Sequence, residues 1–377
     1  STTYRFSPQA YPKQSVKSGG SVPMLELPVI KGSRAHLDIY RNGHLLDGQG
    51  YTIADNQLYF EEIGNYKLVV WHDSVRERKY GYDENGDWVK MNEPYGDTTF
   101  LTVYGDYAYG HDLARWTWEK EKSDYTTWVD LWFAGTAGEA FVMDWGDGER
   151  TVVEGTGESI RYTHAYDTAA RQVEWRLYGA TPEARILKLE KQYRVFNEKL
   201  DVSACPALTH LTWHGEGWAT SGLAALDVSA CKALTYLDCE SNRLTSLDVS
   251  KNLALEELNC ESNLLTSLDV SKNLALEELN CKNNLLTSLD VSKNAALTGL
   301  ICKRNDLRTL DVSHNVALRV LDCGGCHLTA LDVSKNVNLE ELYCEYDQLK
   351  SLDVSGNLAL KVLLCYGNYL PSLDISR

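Results

Sequence analysis

From Leu200 onward, apolar and polar residues alternate in a line that keeps returning. The 21 residues LTSLDVSKNLALEELNCESNL, Leu244 to Leu264, are followed by LTSLDVSKNLALEELNCKNNL, which differs at two positions. Nine LDVS or LDIS tetrads begin at Leu200, Leu226, Leu247, Leu268, Leu289, Leu310, Leu331, Leu352 and Leu373, and every spacing after Leu226 is 21. A fixed period in this range specifies a solenoid of stacked coils. Within a period the pattern L-x-x-L-x-[VC]-x-x-N occurs twice, as LTSLDVSKN and as LEELNCESN. Each coil is therefore expected to carry two similar arcs. Alternation turns every second side chain inward on a short strand, and stacking buries the Leu, Val and Cys columns as ladders. Asn at the end of each arc is placed to bond free backbone groups where the chain turns. Asn242, Asn263, Asn284, Asn305 and Asn368 fill one corner, and Asn252, Asn273, Asn294, Asn315, Asn336 and Asn357 the other.

This register gives every cysteine a structural address. Cys239, Cys260, Cys281, Cys302, Cys323, Cys344 and Cys365 form one inward column, while Cys205, Cys231 and Cys326 stand at corners where other coils have Asn. In-register strands lie about 4.8 Å apart, more than the roughly 3.8 Å between Cβ atoms that a disulfide favours. Ten buried, reduced thiols are expected, acting as small apolar side chains. The CGGCH run, Cys323 to His327, matches a haem-attachment spacing and half of a zinc signature. In register it is an ordinary column residue followed by a corner residue. The Asp of each tetrad, from Asp201 to Asp374, should point outward and take bonds from the Ser two positions on and from nearby Lys. A calcium stripe along these carboxylates is the weaker alternative.

Before residue 200 the pattern changes to short alternating strands with turn signals. HLDIYRNGHLL carries a hairpin-type Asn42-Gly43, QLYFEEIGNYKLVVW alternates on both sides of Gly64, and YGYDENGDWVKM turns at Asn85-Gly86. Asp83, Asn85 and Asp87 resemble part of a calcium loop, but no glutamate completes it, so a bare turn is expected. All ten Cys lie at or after Cys205, whereas eight of the ten Trp precede residue 200, so two architectures meet near residues 185 to 200.

The repeated half, residues 186 to 377, resembles the leucine-rich repeats, in the short 21-residue form of secreted Bacteroidetes-type bacterial surface proteins. IGNYKLVVWHD resembles the penultimate strand of immunoglobulin-like modules. MDWGDGERTVVEGTGESIRYTHAYDTAARQVEWRLYG is similar to the PKD family of β-sandwiches, matched at Asp144-Trp145-Gly146-Asp147-Gly148 and at His164-Ala165-Tyr166. Trp145 stands where that family has Phe, and the closing strand lacks the family's Gly-x-Tyr. The PKD resemblance makes His164 and Asp147 turn and core residues rather than an acid/base pair. Together these likenesses imply a mostly β chain with two N-terminal sandwiches ahead of a leucine-rich-repeat solenoid. The expected domains are an immunoglobulin-like sandwich over 1–112, with 1–20 a leader or linker, a PKD-like sandwich over 113–185, and the solenoid over 186–377.

Composition narrows the function. The net charge is −16 with a pI near 5.0, which disfavours nucleic acid and anionic membrane as partners. No apolar run approaches the roughly 20 residues that a bilayer span needs. G-x-S-x-G, H-E-x-x-H and Gly-rich phosphate loops are missing, so no catalytic residues, no metal ligands and no cofactor are expected. The solenoid instead offers one long face. Its outward positions include Tyr236, Asp238 and Glu240, then Glu257, Asn259 and Glu261, then Glu278, Asn280 and Lys282, and later Lys303, Arg304, Asp322 and Glu345. Tyr343, Tyr346, Tyr366 and Tyr369, with Trp218 in the enlarged interval after Leu200 and Tyr236 beyond it, are the candidate ligand-binding residues. The expectation is a non-enzymatic adhesion protein, extracellular or on the outer surface of a bacterium, that binds a protein ligand. Glycan capture is the alternative, and end-to-end pairing of chains through the last coil is a further expectation.

Overall fold

The computed structural model describes residues 14–17, 21–23, 35–41, 44–46, 51–54, 57–60, 64–82, 88–104, 112–119, 128–166, 172–179, 183–192, 196–215 and 222–373. The helices and strands among them are all β-strands, and no helix among them is long and apolar enough to cross a membrane.

From residue 236 the chain makes one three-residue strand per coil, at Tyr236–Asp238, Glu257–Asn259, Glu278–Asn280, Gly299–Ile301, Val320–Asp322, Glu341–Tyr343 and Val362–Leu364. Neighbours pair parallel and 21 residues apart, so Leu237, Leu258, Leu279, Leu300, Leu321, Leu342 and Leu363 align across the stack. From residue 236 on, among the described residues, strands form in the arc with Cys alone. The LDVS arc, expected to be a second short strand, instead winds through tight turns. In each tetrad among the described residues the Asp Oδ1 accepts the N–H of the Ser two residues on, as at Asp248 and Ser250 (2.9 Å). The following Asn N–H then returns to the Val carbonyl, as from Asn252 to Val249 (3.0 Å). These local bonds satisfy the backbone donors that a strand would have offered to its neighbour.

The Leu, Val and Cys columns are the core, as the alternation requires. All ten cysteines are free thiols, and burial pushes the column thiols well above their ordinary range. Cys365 departs from the expectation, being only half-buried. The corner amides tie each coil to the one before it. Asn273 Nδ2 donates to Val249 O (3.0 Å) and Asn252 O (2.8 Å), and Asn294 repeats the pair one coil on. One residue before the other corner, each coil passes through the left-handed region, at Ser241, Ser262, Asn283, Arg304, Gly325, Tyr346 and Gly367.

The stack does not begin at the first coil. Ile186–Gln192 pairs parallel with His210–Trp213 on one side and antiparallel with Trp128–Gly135 on the other, so one sheet of eleven strands runs from Ile160–Ala165 to the last coil. A second sheet of five strands, including Ala140–Asp144, Gln172–Gly179, Asp112–Glu119 and Phe196–Asp201, packs against its start. Trp116, Trp118, Trp145, Trp175, Phe133 and Phe141 fill the space between them. At the join, Glu198 accepts hydrogen bonds from Trp116 Nε1 (3.0 Å), Trp213 Nε1 (2.9 Å) and Lys191 Nζ (2.6 and 2.7 Å), all of them buried. Both Trp rings also stack around the Lys191 ammonium. His164 lies in the same layer, stacked on Trp145 at 4.6 Å with Nε2 2.6 Å from Asp147 Oδ2.

Towards the N-terminus, Ala35–Arg41 and His44–Leu45 pair antiparallel, with Arg41 opposite His44; Asn42 and Gly43 lie outside the described residues. Gly64–Tyr82 and Trp88–Tyr104 form a long antiparallel pair, Tyr82 opposite Trp88. The Asp83, Asn85 and Asp87 turn between them lies outside the described residues.

A candidate binding face on the solenoid strands

Each coil strand turns its central Leu and the following Cys inward, leaving the residues on either side of Leu, and the one after Cys, on the outer face. Parallel register then builds columns of unlike chemistry. Residues 236, 257, 278, 299, 320, 341 and 362 form one column, 238, 259, 280, 301, 322, 343 and 364 the next, and 240, 261, 282, 303, 324, 345 and 366 a third.

The early coils are acidic. Glu257 and Glu278 are direct in-register neighbours, an arrangement that disfavours burial of either charge. Amides relieve the third column, with Asn259 Nδ2 donating to Glu240 Oε2 and Asn280 Nδ2 to Glu261 Oε2, both at 3.0 Å. Lys282 adds an ion pair to Glu261 at 2.8 Å. A shallow hollow opens here, lined by Tyr236, Glu257, Asn259, Glu278, Asn280 and Ile301. Beyond it, Gly299 carries no side chain and lets the Glu278 carboxylate lie across it, since a Cβ there would collide with Glu278 Oε2. The ELN of the preceding coils becomes GLI at this point, a change legible in the sequence.

Tyr236 borders the hollow, its ring stacked on His210 at 5.7 Å. Its hydroxyl is pushed up to about 12 by burial and then by the neighbouring Asp238. Two residues expected on the outer face are buried. Asp238 is only 7% exposed, folded back so that Oδ1 accepts the Glu240 N–H at 3.1 Å while Oδ2 lies 3.0 Å from His214 Nε2. Glu345 is 3% exposed, because Gly324 carries no side chain and lets the carboxylate lie across it to bond Lys303.

The later coils are aromatic. Tyr346, Tyr366 and Tyr369 are exposed by 65%, 54% and 70%. Tyr346 and Tyr366 meet edge to face at 5.1 Å, and Gly367 makes room for the Tyr346 ring. Tyr343 is half-buried and donates its hydroxyl to Glu341 at 2.7 Å. The candidate set thus divides. Tyr346 and Tyr366 are brought together, Tyr369 follows on the neighbouring turn, Tyr236 borders the acidic hollow several coils away, and Trp218 lies outside the described residues.

Among solved structures, the functional domain of InlJ from Listeria monocytogenes, described as including a cysteine ladder, is 35% identical to this chain. That match covers 52% of this chain and 44% of that one with a TM-score of 0.46. The leucine-rich repeat domain of APL1B is 28% identical, covering 44% of this chain and 49% of that one with a TM-score of 0.37. This chain therefore spans less than half the length of either. No family model matches the chain, and no curated protein matches it.

Proposed function

We propose that the solenoid is a non-enzymatic recognition module of leucine-rich-repeat type, binding a protein ligand on its strand face. In this reading the chain is a bacterial adhesion protein working outside the cell, and residues 1–112 and 113–185 are immunoglobulin-like and PKD-like modules that carry the repeat. The observation that supports it best is the exposed pair of Tyr346 and Tyr366, with Tyr369 beside it, at one end of a face whose other groups are largely tied to each other. Rigid aromatic side chains bury much area for few lost rotors, which is what a contact hot spot requires.

Immobilised extracellular matrix proteins and a glycan array, probed with the wild-type chain and with the Tyr346→Ala, Tyr366→Ala double variant, test this. The expected result is a protein ligand whose affinity falls at least about tenfold in the double variant. Unchanged binding by that variant overturns the role of the tyrosines. A carbohydrate ligand lost in the same variant turns the reading to glycan capture, which the same rings favour. Light scattering on the free chain tests whether chains instead pair end to end through the last coil.

A further inference from the structure

The first two coils carry a side-chain cluster that protein recognition by the tyrosines does not use. His210–Trp213 and Tyr236–Asp238 pair in register, Thr212 opposite Asp238. Continuing that register sets Trp213 beside Cys239, both fully buried, and His214 beside Glu240. Asp238 lies two residues before Glu240 on the same face, so one imidazole and two carboxylates converge from two adjacent strands. A ligand atom from each of His214, Asp238 and Glu240 lies within 4.8 Å of the other two.

The partners of these groups leave the meeting point open. Asp238 Oδ1 is held by the Glu240 N–H (3.1 Å), while Oδ2 has the distant Tyr236 hydroxyl (3.4 Å) and His214 Nε2 at 3.0 Å. His214 Nε2 is sealed from solvent, with Asp238 Oδ2 3.0 Å away as its close acidic neighbour. Glu240 Oε2 takes the Asn259 amide, which orients the carboxylate. The nearby ammonium of Lys191 is bonded to Glu198 through both carboxylate oxygens, which offsets its charge. Later coils do not repeat the set: Asn259 and Asn280 replace Asp238, and Glu261 and Lys282 follow Glu240.

We propose that His214, Asp238 and Glu240 form a binding site for a divalent transition-metal ion, with zinc the best match. Imidazole nitrogen and carboxylate oxygen are its common donors, at about 2.1 Å, which puts the donors of a tetrahedral site about 3.4 Å apart. The His214 to Asp238 separation already suits this, and Glu240, only half-buried, closes the third edge by side-chain rotation. Three protein ligands leave the fourth position facing outward, where water or an acidic group of a bound partner completes the shell. The ion would also clasp the first coil to the second.

The test uses the full chain, stripped with chelator, dialysed, and titrated with zinc chloride by calorimetry, with magnesium chloride as the hard-cation control. One zinc per chain is expected, with affinity reduced at least about tenfold in His214→Ala and in Glu240→Gln. His210→Ala, which removes the neighbouring imidazole, should bind as the wild type does. Glu240→Gln preserves shape and guards against a folding defect in the histidine variant, and circular dichroism checks both. Cobalt in place of zinc should give visible d–d bands without thiolate charge transfer. Zinc binding unchanged in both variants, no heat at millimolar zinc, or a cobalt spectrum dominated by thiolate charge transfer would each overturn the proposal.

Discussion

The corner at Asn263 and the corner at Asp347 are the same place in the coil, built four coils apart with different chemistry. At Asn263, Oδ1 accepts the Leu244 N–H, and Nδ2 donates to the carbonyls of Cys239, Cys260 and Glu261 at 3.0 to 3.2 Å. A single neutral amide thereby stitches two coils with both of its ends. At Asp347, Oδ1 still accepts, from Cys326 N and Leu328 N at 2.8 and 3.0 Å. Its Oδ2 sits where the amide nitrogen would be, sealed from solvent and without a hydrogen-bond partner among the described residues. By register it faces the carbonyls of Cys323 and Cys344, which can only accept. Burial accordingly pushes the Asp347 carboxyl up to about 6, against the lowering effect of its two backbone donors. One coil earlier, Cys326 keeps part of the amide's role, its thiol donating to Cys302 O at 3.1 Å. The lesson is that a solenoid corner needs a donor more than it needs a charge.

Moving the acid breaks the comparison most severely. Asn263→Asp removes three donated bonds and sets a carboxylate against three carbonyls. The expected loss is about 4 kcal/mol at neutral pH, read by urea unfolding, with a much smaller loss at pH 4 where the acid is protonated. The converse change sharpens it. In the wild type the folded chain keeps a proton on Asp347 between about pH 4 and pH 6 that the unfolded chain has released, so stability falls as pH rises through that window. Asp347→Asn should therefore gain about 3 kcal/mol above pH 7, and the gain should vanish below pH 4. A gain independent of pH would contradict a protonated corner.

The smallest effect concerns the residue before a corner. Gly325 and Gly367 take the left-handed conformation at no steric cost, whereas Arg304 holds a φ of 57° with a full side chain. Arg304→Gly is expected to raise stability by about 0.5 kcal/mol, measured by the same unfolding curve.

The columns and corners are legible in the sequence because a 21-residue period forces every repeat to obey one pattern. Leu258, Cys260 and Asn273 occupy the places their spacing implies. The LDVS arc misled because L-x-x-L-x-V alternates like a strand. What distinguishes it is the Ser after each Asp, whose N–H the carboxylate captures, and that bond was visible only as a side-chain partnership. The buried Asp238 and Glu345 could not be read from position alone. Asp238 depends on His214, which reaches it across the enlarged interval where the period fails, and Glu345 depends on the missing side chain of Gly324. Likewise, nothing in the spacing of Lys191, Glu198 and Trp213 announces that they meet Trp116 in one buried network.

The near-identity of the coils Leu244 to Leu264 and Leu265 to Leu285 makes this stretch a ruler with interchangeable divisions. Removing or adding one such unit leaves every neighbour facing the surface it faced before, because the two junctions are chemically the same. What changes is the length of the acidic hollow, which these two coils themselves line, and with it the distance from Tyr236 to the tyrosines, by about 4.8 Å per unit. Unequal exchange between the two copies would thus retune the span from Tyr236 to the tyrosines while conserving both ends, so that reach, rather than chemistry, is the property this half of the molecule is most free to vary.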